Sequence, residues 1–425
     1  MPDKARPSRR IDAAPLAAPA ARLPARAPFR PDPLTVLDPS LPPDEARRTA
    51  LQAIWTFPSV VASAFIVAFG AEAAQFFVSQ GLALALLAWI QVLPEFAVEA
   101  VIAWERDVPL MTANFTGALR LLTGLGWPTI YLVYAVSRQL QGDRRRMPRI
   151  ELDPEHSAEV VGLVAPLLYF AWIIFKGSLS LVDAVVLFGL YLVYLALLHR
   201  LPPKESEELA DAPRFVRWVV GLPRTRRVLA ITGLFVGGGV LLFFAAHPFL
   251  HSMIGLASVI GVSQFVFVQW VAPFLSELPE FLSTTNWARQ RGKAGMALMN
   301  MASSNINQWT VLAAMIPVVY SLSLGHAAAV PLTEHRLELS LTWLQGMLGI
   351  VILSNLTFEA YEAVALLILW LAQFLVPHWR EEVCVAYGVW LVLELVSTLW
   401  RPGRLRAFGE FLRLWRASGH ARPTP

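Results

Sequence analysis

Cysteine and charge are both scarce in this chain, and each scarcity excludes a class of protein. A single cysteine, Cys384, rules out an internal disulfide, a cysteine-rich zinc site and an iron–sulfur cluster. It falls in an apolar segment and reads as an inert packing residue. Charged residues make up only 16% of the chain, against roughly 25% in soluble domains. There is no Walker loop and no nucleophile elbow, so neither ATP-driven nor hydrolytic chemistry is indicated. The chain therefore does not read as an enzyme. Its eight histidines are scattered among loops and tails without metal-ligand spacing, and no resident cofactor is expected.

What is abundant is apolar. Hydrophobic residues reach 56% and the mean hydropathy is +0.52. They cluster in runs near the roughly 20 residues that a spanning helix needs. Helices apolar all round have no place in a water-soluble core of this size. Such runs lie at 49–70, 80–104, 109–137, 158–175 and 179–199, then at 228–247, 262–288, 294–324, 341–355, 358–376 and 382–399. The expected fold is an all-α polytopic membrane protein, with two five-span units and one extra C-terminal span. The high pI of 9.4 does not point to nucleic acid, because the basic residues sit between the apolar runs. The partner is the lipid bilayer; the oligomeric state is left open.

Residues 1–46 hold eleven of the 31 prolines with many Ala and Arg, and are expected to be disordered. No continuous apolar core marks a cleavable signal, and Asp3, Asp12, Asp32 and Asp38 argue against a transit peptide. A first unit over 47–199 follows, then a basic linker over 200–227 and a second unit over 228–376. The extra span covers 377–400, and the basic tail over 401–425 reads as an interfacial amphipathic helix. Most Lys and Arg of the short loops lie on the side of the linker and C-terminus, which are placed in the cytoplasm. The N-terminal tail, also basic, votes the other way. The expected location is a bacterial inner (plasma) membrane, crossed many times.

The two units repeat. Leu93-Pro94-Glu95-Phe96 recurs as Leu278-Pro279-Glu280-Phe281, each within the second span of its unit. Asn114 and Asn300 stand at matched distances beyond the two glutamates. The triplets Ile150-Glu151-Leu152 and Leu337-Glu338-Leu339 read as a further match. An odd number of spans per unit turns the second copy upside down. That is the inverted repeat of many secondary transporters, whose site lies near the midplane.

A carboxylate inside a span costs about 2.5–3.5 kcal/mol on insertion scales. Glu95 and Glu99, spaced i, i+4, share a helical face, as do Glu277 and Glu280, spaced i, i+3. Pro94 and Pro279 are expected to interrupt their spans and free a carbonyl one turn back. Carboxylates, carbonyls and amides form the hard-oxygen set that Ca²⁺ prefers. Asn300, Ser304, Asn307 and Gln308 add an oxygen-bearing stripe on one face. Small polar residues of this kind also serve as interhelical glue. Asp183, Glu359, Glu362 and Glu394, near span ends, read as interfacial or packing residues.

Here the sequence resembles the α-repeats of the sodium/calcium exchangers, in the cation/Ca²⁺ exchanger superfamily. The family pattern is Gly-Thr-Ser-x-Pro-Glu in one helix and Gly-Asn-x-x-Gly-Ser-Asn-Ile-x-Asn/Asp in the next. Ser276-Glu277-Leu278-Pro279-Glu280 matches the first, with Ser276 at the Thr position and Glu277 at the Ser position. Asn300-Met301-Ala302-Ser303-Ser304-Asn305-Ile306-Asn307-Gln308 matches the second. The first half keeps Pro94-Glu95, Asn114 and Gly117 and little else; the likeness spans about 49–376.

The resemblance implies a secondary cation antiporter that exchanges Ca²⁺, or another cation, for Na⁺ or H⁺ by alternating access. Glu95 and Glu280 become the metal ligands, with Ser276, Glu277, Asn300, Ser304, Gln308 and Asn114 completing the site. A non-transporting scaffold is the alternative, supported by the degenerate first repeat. There, Ala118 and Leu122 replace oxygen-bearing residues, and Arg120 stands within a span. Arg120 is expected to pair with Glu99 or Glu95, or to take the place of one bound ion. Glu277 adds a carboxylate that the family usually lacks, which favours coupling to protons.

Overall fold

The computed structural model describes residues 41–77, 92–142, 148–200, 209, 212–400 and 402–420. The first half contains α1 (Pro43–Ala74), α2 (Leu93–Glu105), α3 (Val108–Leu140), α4 (Pro154–Lys176) and α5 (Leu181–Arg200). A short helix, α6 (Arg214–Val220), stands between the halves. The second half contains α7 (Arg224–Ile260), α8 (Gln264–Ser276), α9 (Leu278–Arg289), α10 (Ala294–Leu324), α11 (Thr333–Leu353) and α12 (Ala360–Leu375). Last come α13 (Arg380–Trp400) and α14 (Arg406–His420). Among the described residues, 7 helices are long and apolar enough to cross a membrane, or up to 9 if each bent pair is one span. The protein is an all-α, multi-pass membrane protein.

Most of the segment expected to form a disordered tail lies outside the described residues. Its end, 43–46, is corrected to helix. Pro43 sits in the first turn of α1 with Asp44 and Glu45 beside it, the residue types that a helix N-terminus accepts best. The linker is likewise partly built: Val216 and Val219 of α6 are buried beside Ala73 of α1.

The opening helices of the two halves, α1 and α7, run antiparallel. Thr56 and Ser252 share a hydrogen bond of 2.8 Å between them. The inversion is also written in four two-residue strands. β1 (Ile150–Glu151) pairs antiparallel with β4 (Thr357–Phe358), and β2 (Ser178–Leu179) with β3 (Val330–Pro331). Each pair joins the two halves, and the pairs lie at opposite ends of α4. Matched π-helical turns, Leu122–Gly126 and Gln308–Leu312, interrupt α3 and α10.

This register corrects one expected match. The counterpart of Ile150–Glu151 is Val330–Pro331, whereas Leu337-Glu338-Leu339 lies inside α11. The genuine repeat is Glu155-His156 with Glu159 against Glu334-His335 with Glu338. Each begins in a 3₁₀ turn, Pro154–His156 or Thr333–His335.

The acids near span ends hold the frame. Asp183 accepts from Lys176, from Tyr169 at 2.8 Å and from Ser180. Glu359 and Glu362 form the capping box of α12, and Glu394 pairs with Arg404. The helix expected in the basic tail forms as α14, with Ala407 buried and its amide donating to the Ser354 carbonyl at 2.8 Å.

Candidate functional site

Both Leu-Pro-Glu-Phe motifs start a helix instead of lying within one. α8 ends at Ser276, α9 begins at Leu278, and the two are bent by 57°. Pro279 stands in the first turn of α9, and Pro94 in the first turn of α2. Proline there removes no helical hydrogen bond, because the first-turn amides have no intrahelical partner. The expected mid-helix interruption is thus replaced by a break before the proline. The break puts Glu95 and Glu280 in the first turn of their helices, where the positive end of the helix dipole favours an anion.

The carboxylates are deeply buried: Glu95 is 1% exposed, Glu99 0%, Glu277 2% and Glu280 6%. No lipid-facing acid is therefore left uncompensated among them. Asn114 of α3 donates to Glu95 Oε1 at 2.6 Å and to Glu99 Oε2 at 2.7 Å. In the second half Asn300 donates to Glu280 Oε1 at 2.9 Å, and Ser304 to the same oxygen at 2.7 Å. Gln308 donates to Glu277 Oε1 at 2.7 Å. Glu277, at the break, and Glu280, in the first turn of α9, bring two carboxyl groups together at this point of the second half. Ser276 crosses between the halves and donates to Glu95 Oε2 at 2.5 Å. All eight expected ion-site residues, and Glu99, thus fall in one cluster.

The two halves contribute unequally. The repeat position of Glu99 is Thr284, and that of Glu277 is Val92. Each half has two carboxylates, but the second of each pair sits on the opposite side of the shared Pro-Glu. Four buried oxygens of the cluster meet no donor among the described residues: Glu99 Oε1, Asn114 Oδ1, Glu277 Oε2 and Gln308 Oε1. Buried acceptors without partners are costly. A set of them from both halves is what a dehydrated cation would coordinate.

Arg120 does not join this cluster, which corrects its expected pairing with Glu99 or Glu95. Its guanidinium donates to Glu338 Oε2 at 2.7 Å and to Gln373 Oε1 at 2.7 Å, and lies 5.3 Å from the centre of the Trp270 ring. Arg380 pairs with the other oxygen of Glu338, and Gln269 donates to Glu338 Oε2 at 3.2 Å. The reason is rotation about α3. Arg120 is six residues past Asn114, about 240° around the helix, so it faces α11 and α12. Both guanidiniums are buried, Arg120 at 0% and Arg380 at 2% exposure.

Sequence reasoning missed Glu338, Arg380, Gln269 and Gln373. The recurrence of Glu-His-x-x-Glu at Glu155 and Glu334 was the signal that marks Glu338 as buried in the repeat. Glu72, buried in α1 and 3.4 Å from Ser283 Oγ of α9, was missed because it lies just past the expected span. The histidines need correction too: His247 and His251 stand one turn apart on α7, and both approach Glu105 at the end of α2.

The residues 49–199 and 230–377 match the family model "Sodium/calcium exchanger protein". The chain belongs to this family. Families of exchangers are transporters, not enzymes, and the exchanger's environment is the lipid bilayer. Among solved structures, it is 28% identical to a protein described as the H⁺/Ca²⁺ exchanger CAX, with a TM-score of 0.78 over 87% of this chain and 92% of that one. The structure of native YfkE shares the fold at 12% identity and a TM-score of 0.53, over 78% and 96% of the two chains. The sodium–calcium exchanger NCX_Mj is 19% identical, with a TM-score of 0.49 over 79% of this exchanger and 99% of that chain. Compared with curated proteins, the chain matches none.

Proposed function

We propose that the exchanger moves Ca²⁺, or another hard divalent cation, against H⁺ by alternating access in a bacterial inner membrane. Glu95 and Glu280 are the principal ligands. Ser276, Glu277, Asn300, Ser304, Gln308 and Asn114 complete the site, and Glu99 supplies in the first half what Ala118 and Leu122 do not. The observation that carries this reading is the buried cluster itself: four carboxylates from both halves with unpartnered oxygens among them.

Glu277 and Glu280 place two buried carboxyl groups at one point of the second half, as Glu95 and Glu99 do in the first. Ionised carboxylates buried without a counter-ion are too costly to persist. The cluster is therefore neutralised either by protons or by a divalent cation, and each displaces the other. Because neither half can cross between facing states with bare charge, the two fluxes are tied into exchange. The likeness to a solved H⁺/Ca²⁺ exchanger supports H⁺ over Na⁺ as the coupling ion. So does Glu277, a carboxylate that the family usually lacks and that can carry a proton. A non-transporting scaffold has no use for such a cluster, which apolar residues would replace without loss.

The experiment is uptake of radiolabelled Ca²⁺ into proteoliposomes under an imposed pH gradient, an imposed Na⁺ gradient, or neither. Uptake driven by the pH gradient alone is expected. Uptake driven only by Na⁺ overturns the coupling, and no uptake under either gradient overturns the transport reading.

A further inference from the structure

We propose that Glu105, His247 and His251 form a binding site for a first-row transition-metal ion, with Zn²⁺ the best fit, separate from the carboxylate cluster. His247 and His251 are spaced i, i+4 on α7, so both rings leave the same face. Glu105 is the last residue of α2. His247 Nε2 lies 3.2 Å from Glu105 Oε1, and His251 Nε2 lies 3.0 Å from the same oxygen. The three ligand atoms all lie within 4.8 Å of one another. A tetrahedral Zn²⁺ with bonds of 2.0–2.1 Å sets its ligands about 3.3 Å apart, so small side-chain movements complete the geometry.

The chemistry selects the class of ion. Two imidazoles and one carboxylate suit Zn²⁺ and its neighbours, whereas Ca²⁺ and Mg²⁺ take oxygen ligands. Three protein ligands leave a fourth position for water. All three side chains lie on the protein's surface, with exposures of 63% for His247, 40% for His251 and 26% for Glu105, beside the charged Glu105-Arg106-Asp107 turn that ends α2, so an ion has a route in. Glu105 is also placed where an acid is disfavoured, at the negative end of its helix dipole. A cation on Glu105 offsets that cost.

The site is distinct from the carboxylate cluster. Glu105 is ten residues past Glu95, about 15 Å along the helix. A bound ion would bridge α2, which carries Glu95 and Glu99, to the opening helix of the other half.

The test is calorimetric titration of tag-free, chelator-stripped full-length exchanger with ZnCl₂ in excess Ca²⁺. Saturable binding of one ion is expected. Glu105→Gln and His251→Ala should each weaken it at least as much as the roughly 10–100-fold loss that follows removal of an outer-shell partner. Glu280→Gln should leave it unchanged. Melting without zinc checks the fold of each variant, and His247→Ala is a third, independent probe. No saturable binding, competition by Ca²⁺, binding indifferent to the three substitutions, or loss in Glu280→Gln would each overturn the proposal.

Discussion

Ser276 of the second half donates from its Oγ to Glu95 Oε2 of the first half at 2.5 Å. This contact joins the two inverted repeats at the carboxylate of one of them. It ties the break between α8 and α9 to the first turn of α2, so the geometry of one Pro-Glu element depends on the other.

Removing that contact should weaken the cation site without dismantling it. A hydrogen bond to a charged group is worth about 1.5–3 kcal/mol, so Ser276→Ala is expected to raise the Ca²⁺ concentration for half-maximal flux at least tenfold. The concentration dependence of uptake measures this. An unchanged half-maximal concentration would mean that Ser276 only packs the interface.

Glu277→Gln separates proton coupling from cation binding. The amide keeps a hydrogen-bonding partner for Gln308 but carries no titratable proton. Fewer protons should leave per Ca²⁺ taken up, read with a pH indicator inside the vesicles. A stoichiometry equal to wild type places the exchanged protons on other carboxylates.

The Arg120 network makes a prediction about stability alone. Arg120→Ala leaves Glu338 still paired with Arg380, whereas Glu338→Gln strands two buried guanidiniums. Breaking a buried pair costs about 3–5 kcal/mol. Arg120→Ala should fall near the low end of that range and Glu338→Gln should exceed it. Melting temperatures in detergent, with and without Ca²⁺, provide the comparison. Equal losses, or a loss that Ca²⁺ repairs, would contradict a network independent of the cation cluster.

Gly117 tests the close crossing of α3 and α8. A Cβ at this position would overlap the carbonyl oxygen of Gln269, and that atom belongs to helix backbone, which yields little. Gly117→Ala should destabilise the protein by about 1–3 kcal/mol through overpacking. A melting temperature at the wild-type value would show that the helices part easily.

Spans, repeat and cluster were legible because burying charge in a bilayer is expensive enough to leave few acids, and those acids recur. Glu95 and Glu280 stood out against apolar surroundings, and Asn114 and Asn300 followed at matched spacing. The Arg120 partner was not legible, since Glu338 lies over two hundred residues away and only the packing of α11 on α3 brings it there. An interruption at Pro279 was expected, but its place, just before the proline, escaped for a different reason. Leu-Pro-Glu reads equally well as a kink or as a helix start, and only the backbone at Glu277 and Val92 decides. His247 and His251 show helical spacing in sequence, but their significance depends on Glu105, which the fold supplies.

The central claim is that cation and protons compete for the buried carboxylates, and Glu280→Gln tests it most directly. Wild-type and variant exchanger are reconstituted at equal amounts, matched for melting temperature, and assayed for Ca²⁺ uptake driven by a pH gradient. The account predicts uptake in the wild type and none above empty vesicles in the variant. Uptake by Glu280→Gln at the wild-type rate would contradict it.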